Sequence, residues 1–91
     1  MIAQHLVIRG RVQGVGYRYA MTEVAETLGV TGWVRNRRDG TVEALFAGDD
    51  RKVEEMIGLC AEGPTRAKVT EVQRFAAVPP DEPGFRQLPT E

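Results

Sequence analysis

The sequence has few of the residues that stabilise small secreted proteins or bind metals. It contains one cysteine, Cys60, and one histidine, His5, in 91 residues. A single cysteine excludes an internal disulfide and any metal site built from several cysteines, which indicates a reducing compartment. No histidines, cysteines and carboxylates are grouped at the spacing of metal ligands. We expect His5 to lie on the polar face of a strand and Cys60 to be a small core residue.

Long apolar runs are also absent. No stretch approaches the ~18 consecutive apolar residues that a membrane-spanning helix requires. The first ten residues, MIAQHLVIRG, lack the basic and apolar segments of a secretory signal. We therefore expect a cytoplasmic protein that is not bound to a membrane. A composition of 42% apolar and 27% charged residues favours one free-standing domain with a single core over residues 1–91.

The sequence lacks the basic excess of most nucleic-acid binders, since its net charge is -1. The charge is nevertheless divided unevenly along the chain. Residues 1–40 contain six arginines and three acidic residues, whereas residues 41–91 contain six basic and ten acidic residues. The first part, with a net charge of +3, favours a small anion as ligand and makes a long polyanion a poor candidate.

Apolar periodicity predicts a strand followed by a helix, a hairpin, a second helix and a further strand. The expected elements are strand 4–12, helix 17–28, strands 30–36 and 41–47, helix 50–62, strand 67–75 and a weak edge strand at FRQL, 85–88. Val69 and Val72 fall out of phase, which indicates a bulge or bend in the strand over 67–75. This β-α-β-β-α-β order predicts an α+β, ferredoxin-like sandwich, with two helices on one face of a mostly antiparallel sheet of four to five strands.

The segment GRVQGVGYRYA, residues 10–20, joins the first strand to the first helix. Gly14 and Gly16 allow backbone torsions that direct successive N–H groups towards one point, and the helix start adds further free N–H groups. Arg18 lies at the positive end of the helix dipole, an unfavourable place for a cation unless an anion binds there. The segment therefore favours a phosphate site. The alternative is a tight turn with Arg18 in solvent.

Asn36 is expected to lie near Arg18 in the folded chain. A helix over 18–28 leads about 16 Å away from the loop at ~1.5 Å per residue. An extended strand over 31–36 returns about 20 Å at ~3.3 Å per residue. The amide of Asn36 could then hold a water molecule beside a bound anion. The alternative is that it bonds only to backbone groups at the end of its strand.

Two segments together resemble the signature sequences of the acylphosphatase family. They are GRVQGVGYR at 10–18 and GWVRNRRDG at 32–40, and the similarity extends over nearly the whole chain. The resemblance implies a ferredoxin-like fold and hydrolysis of acyl phosphates to a carboxylate and phosphate, without metal or cofactor. It implies that Arg18 is the main phosphate ligand and that Asn36 orients the attacking water. The loop residues that it assigns to phosphate binding are Gln13, Gly14, Val15, Gly16, Tyr17 and Arg18.

The sequence departs from the family pattern at three places. Tyr17 replaces the usual phenylalanine and adds a hydroxyl that we expect to reach solvent. Gln87 replaces a residue that is commonly aliphatic in the last strand, and the tail LPTE lacks a strand-like ending. These departures put in doubt the edge of the sheet and its stability more than the chemistry.

Three classes of function follow from these observations. The first is a monomeric enzyme whose only partners are a small acyl phosphate and the phosphate product. The second is a module of the same fold that binds a phosphorylated ligand without turnover. The third is RNA binding, which the sequence disfavours because the central strands offer only Phe46 as an aromatic residue for base stacking.

Overall fold

The computed structural model describes residues 1–91 and contains five strands and two helices. The elements are β1 (Ile2–Arg11), α1 (Tyr17–Leu28), β2 (Thr31–Asn36), β3 (Val42–Gly48), α2 (Asp50–Glu62), β4 (Lys68–Ala76) and β5 (Phe85–Gln87). Each expected element is present, with boundaries that differ from the expected ones by at most two residues. Neither helix has the length and apolarity needed to cross a bilayer.

The strands form one sheet in the order β4-β1-β3-β2-β5. The pairs β1–β3, β1–β4 and β2–β3 are antiparallel, and β5 joins β2 in parallel. The predicted ferredoxin-like α+β sandwich is confirmed. Because β1 and β3 are the central strands, the loop after β1 starts from the middle of the sheet.

The core lies between the helices and the face of the sheet they cover. Strand positions alternate, so that Leu6 and Ile8 point into this layer while His5 points to the opposite, open face. Met21 and Ala25 of α1 and Met56 and Cys60 of α2 complete the core. Burying each large apolar side chain contributes about 1.5–3 kcal/mol relative to leaving it exposed. Cys60 is fully buried, as its helical position predicted.

Strand β4 contains the predicted bulge. Arg9 pairs with Glu71 and the next residue, Gly10, pairs with Val69, so Thr70 is the extra residue on β4. The bulge restores Val69 to the helix-covered side, where it packs against the core. The phase change between Val69 and Val72 in the sequence therefore has a structural cause.

The edge beside β2 is more regular than the sequence indicated. Phe85 stacks on Phe46 with ring centroids 5.8 Å apart, which holds β5 against the core. Beyond β5, the Leu88 N–H donates to the Val34 carbonyl and the Glu91 N–H donates to the Asn36 carbonyl. The residues after β5 thus continue the backbone hydrogen bonding along β2 as far as Asn36, the last residue of that strand.

Charged side chains on the open face form what we call the Glu43 cluster, made of His5, Arg35, Arg37 and Glu43. Glu43 Oε1 accepts hydrogen bonds from Arg35 Nε at 2.8 Å and Arg37 Nη1 at 3.0 Å. His5 Nε2 lies 2.6 Å from the other carboxylate oxygen. Burial raises the pKa of Glu43, but the hydrogen bonds from His5 and Arg35 outweigh it and leave the pKa below its usual value.

Candidate active site

Helix α1 begins without a side-chain cap. Its N-cap residue is Gly16, in the left-handed conformation at φ 77°, and no side chain accepts from the first-turn N–H groups. The first backbone bond of the helix runs from the Ala20 N–H to the Gly16 carbonyl at 3.0 Å. The N–H groups before Ala20 therefore remain available to a ligand, together with the positive end of the helix dipole.

The loop before the helix has the torsions of an anion-binding concavity. Gly14 and Gly16 have φ values of 72° and 77°, whereas Val15 between them has a negative φ. This alternation turns successive N–H groups towards one side. A side chain at either glycine would meet no atom within 4 Å, so it is the torsion and not crowding that favours glycine. The N–H groups of residues 13–16 donate to no protein atom.

Arg18 and Asn36 border one cavity, as the length argument predicted. The cavity has a volume of about 160 Å³ and lies at the start of α1 and the end of β2. Its walls are formed by Val12, Gly14, Gly16, Tyr17, Arg18, Tyr19, Asn36 and Gln87. The two residues are 18 positions apart in sequence, and the return of β2 alongside α1 brings them together.

The side-chain oxygen of Asn36 is the one buried side-chain polar atom without a hydrogen-bond partner. Leaving a buried polar atom unpaired costs about 1–3 kcal/mol, so such atoms usually have a ligand or a water as partner. The alternative in which the Asn36 side chain only bonds to the backbone at the strand end does not hold for this oxygen. The Asn36 carbonyl accepts from the Glu91 N–H, which fixes the backbone.

Arg18 has no carboxylate within salt-bridge distance. Its guanidinium therefore keeps five donors and a full positive charge beside the cavity. A planar guanidinium can bind two oxygens of a phosphate at once, which the ammonium of lysine cannot do. The start of α1 and Arg18 together form a site suited to a small tetrahedral anion.

Gln13 ties the loop to the β2–β3 hairpin through its side chain. Its Nε2 donates to the Arg37 carbonyl at 2.7 Å and to the Thr41 carbonyl at 2.9 Å. The side-chain nitrogen is thus occupied by the protein, whereas the backbone N–H of Gln13 donates to no protein atom. The turn that it contacts is itself held by Asp39, whose Oδ1 accepts from the Thr41 N–H at 2.9 Å.

The expectation that the Tyr17 hydroxyl reaches solvent is wrong. The ring is 1% exposed, and the hydroxyl donates to the Cys60 carbonyl at 2.8 Å. Burial raises the pKa of the Tyr17 hydroxyl and also raises the pKa of the Cys60 thiol to about 12. The carbonyl of Cys60 lies in the last turn of α2, where carbonyls lack helical partners. Tyr17 thus joins the two helices, and its hydroxyl is bonded to α2 rather than free for a ligand.

Gln87 is a cavity residue that sequence reasoning did not assign to the site. It belongs to β5 and pairs with Val34, two residues before Asn36. Only the parallel pairing of β5 with β2 places it there, and no local sequence pattern encodes that pairing. No three histidine, cysteine, aspartate or glutamate side chains come together as metal ligands would.

The chain folds as a two-layer sandwich. At one end of it, an uncapped helix start, an arginine without a salt bridge and a buried amide oxygen surround a small polar cavity. The family model described as acylphosphatase matches residues 4–87. The chain is 55% identical over 85 residues to an acylphosphatase of Acidiphilium cryptum, covering 93% of both chains. It is 51% identical over 83 residues to an acylphosphatase of Rhodospirillum rubrum, covering 91% of both.

Solved structures agree with the sequence comparison. The acylphosphatase from Bacillus subtilis superposes with a TM-score of 0.91 at 30% identity, over 97% of this chain and 99% of that one. The match therefore extends over both chains and includes the loop and the strand that border the cavity. The chain belongs to the acylphosphatase family.

Proposed function

We propose that this protein hydrolyses the carboxyl-phosphate bond of acyl phosphates, with Arg18 binding the phosphoryl group and Asn36 positioning the attacking water. One observation supports the proposal most strongly. The unpaired guanidinium and the unpartnered amide oxygen border the same cavity, at a helix start whose N–H groups have no protein acceptor.

Substrate binding rests on Arg18 and the loop. The N–H groups of residues 13–18 and the guanidinium contact the non-bridging oxygens of the phosphoryl group. Charge builds on these oxygens during transfer, so donors held in advance by the fold stabilise the transition state. The glycine torsions and the Gln13 bonds to the hairpin keep the donors in place without the substrate.

Asn36 orients the nucleophile. Its buried Oδ1 accepts a hydrogen bond from a water, which places the water oxygen on the side of phosphorus facing β2. Attack in line with the departing carboxylate follows from that position. Because β2 and the loop belong to one sheet framework, the water and the phosphoryl group are held by the same rigid unit.

The leaving group requires little help from the protein. A carboxylate has a conjugate acid of pKa about 4, so it departs without protonation near neutral pH. No carboxylate, histidine or cysteine side chain lines the cavity to accept the proton of the water. A phosphoryl oxygen of the substrate therefore accepts it.

The proposal also covers partners and location. The substrate is a small acyl phosphate, and one product is inorganic phosphate. Neither nucleic acid nor a membrane is a partner. We propose a cytoplasmic monomer that needs no cofactor.

The test is hydrolysis of benzoyl phosphate by the purified protein, with and without a chelator. We expect turnover that the chelator leaves unchanged, and a loss of about 10³-fold or more in Arg18→Ala. Arg38→Ala is the matched control, because Arg38 is exposed in the hairpin turn and forms no salt bridge. An inactive wild type that still binds phosphate would reject hydrolysis in favour of the binding module.

A further inference from the structure

A second and larger cavity shares the glycine loop with the candidate site. Its volume is about 390 Å³, and its walls are Arg11, Gln13, Gly14, Val15, Thr65 and Arg66. Gly14 borders both cavities, and it has no side chain to separate them. A ligand whose phosphoryl group occupies the smaller cavity can therefore extend into the larger one across Gly14.

The larger cavity is positively charged. Arg11 and Arg66 are exposed and form no salt bridge, and no carboxylate belongs to the walls. Neighbouring arginines of β1 and β4 differ, because Arg9 pairs with Glu71 at 3.5 Å and Arg74 with Glu54 at 2.6 Å. Arg11 ends β1 and Arg66 follows α2, so two separate elements bring unneutralised guanidinium groups to one cavity.

We propose that Arg11 and Arg66 bind a second anionic group, a carboxylate or a phosphate, on the acyl part of the substrate. This inference rests on the proposed function and specifies its substrate class. Asn36 borders only the smaller cavity. In-line displacement requires the attacking water and the acyl group to lie on opposite sides of phosphorus, and a water at Asn36 with an acyl group in the larger cavity is compatible with that requirement.

The selectivity expected from this subsite is moderate. Two partly hydrated guanidinium groups and one carboxylate at a surface give about a tenfold preference at low ionic strength, which screening reduces at about 0.5 M salt. The preference should appear in KM and in kcat/KM more than in kcat, because the contact is equal in the ground state and the transition state.

The experiment compares two substrates of equal size and shape, para-carboxybenzoyl phosphate and its neutral isostere para-carbamoylbenzoyl phosphate. The meta isomers of both substrates test a second position of the charged group on the ring. Unsubstituted benzoyl phosphate serves as the reference substrate. A matched pair of para-substituted phenacylphosphonates, which cannot be hydrolysed, is titrated by calorimetry to read binding alone. Para-phosphonobenzoyl phosphate distinguishes a phosphate from a carboxylate as the preferred second anion.

The variants are Arg11→Gln, Arg66→Gln and the double substitution. Arg51→Gln is the matched control, since Arg51 is exposed without a salt bridge at the start of α2, about 16 Å along the helix from its end near Arg66. It makes the same change in net charge as a single subsite variant. None of these residues is placed in the catalytic machinery.

We expect the wild type and Arg51→Gln to prefer the carboxylate substrate and phosphonate about tenfold, and the double variant to show no preference while hydrolysing the neutral substrate as before. Equal rates and equal affinities for the charged and neutral pair in the wild type would overturn the subsite. A preference that persists in the double variant would overturn the assignment to Arg11 and Arg66. Absent turnover with a preserved binding preference would reject the proposed hydrolysis and leave the subsite standing.

Discussion

The arginines on the open face of the sheet have different surroundings from those beside the loop. In the Glu43 cluster, Arg35 and Arg37 share one carboxylate that also contacts His5. Beside the loop, Arg18 has no carboxylate partner. Both groups occur within the basic first part of the chain, so net charge does not distinguish them. The difference indicates that neutralised arginines stabilise the sheet, while unneutralised ones are available to an anion.

Arginine-to-lysine substitutions should distinguish the two groups of arginines most clearly, because they keep the charge and change only the geometry of the donors. Arg18→Lys keeps the positive charge but removes the planar pair of donors, so we expect kcat/KM for benzoyl phosphate to fall about 10²- to 10³-fold. Arg35→Lys, within the Glu43 cluster, should change it by less than about twofold, since an ammonium still pairs with a carboxylate. Steady-state kinetics decide the matter, and equal losses in the two variants would remove the distinction.

Asn36→Ala should produce the next largest effect. Without the amide, the water is no longer held in line, and we expect kcat to fall about 10²-fold. The dissociation constant for inorganic phosphate, measured by calorimetry, should stay within about threefold of the wild type, because Asn36 contacts the water and not the phosphoryl group.

Gln87→Ala is the control for that variant, as Gln87 borders the same cavity from β5. It should retain most of the activity. A loss of phosphate affinity in Asn36→Ala as large as the loss of turnover would place Asn36 among the phosphate ligands instead.

Removing the carboxylate of the Glu43 cluster should affect stability and spare catalysis. The Glu43 side chain is only 14% exposed, and Glu43→Gln leaves three donors with a weaker acceptor, so we expect the free energy of unfolding to fall by about 2 kcal/mol. Urea denaturation measures this loss. Glu54→Gln, whose carboxylate pairs with Arg74 at the surface, should unfold like the wild type.

The same carboxylate gives the stability a pH dependence. The pKa of Glu43 is lower in the folded than in the unfolded chain. Its contribution is therefore complete above the unfolded value of about 4.3 and is lost as the pH falls through the folded value. A plot of the free energy of unfolding against pH should be flatter in acid for Glu43→Gln than for the wild type. Parallel plots for the two proteins would show that other carboxylates dominate the acid dependence.

The smallest effect concerns the ring that joins the two helices. Tyr17→Phe removes the buried hydrogen bond to the Cys60 carbonyl, and we expect a loss of about 1 kcal/mol in thermal or urea unfolding. Tyr19→Phe, two residues along α1 and exposed, should show no loss. Activity should be unchanged in Tyr17→Phe, because the lost hydroxyl is bonded to the Cys60 carbonyl and not to the loop.

Local patterns in the sequence were sufficient for most of the fold. The helical spacing of apolar residues in α1 and α2 and the alternation in β1 predicted these elements within two residues. The out-of-phase valines predicted a bulge or bend in β4, and the structure has a bulge there, at Thr70. Such features depend on residues close in sequence, where periodicity and turn chemistry determine the conformation.

Contacts between distant segments were harder to predict. Helix and strand lengths placed Asn36 beside Arg18, because the rise per residue is nearly constant within each regular element. The hydroxyl of Tyr17 was misjudged, since its acceptor is a helix-end carbonyl 43 residues away. Gln13 and Gln87 have side-chain positions that depend on how the hairpin and β5 dock, which no nearby residue specifies. The catalytic roles of Arg18 and Asn36 remain predictions for kinetics to test.

The proposed chemistry depends on a phosphate bound by the uncapped start of α1 and its loop, beside Arg18. Titration of the protein with inorganic phosphate, followed by amide NMR, tests it most directly. We expect the largest changes in chemical shift on the N–H groups of residues 14–18 and on the Arg18 side chain, and we expect them to be absent in Arg18→Ala. Shift changes confined to the Glu43 cluster, with residues 14–18 unmoved at saturation, would contradict it.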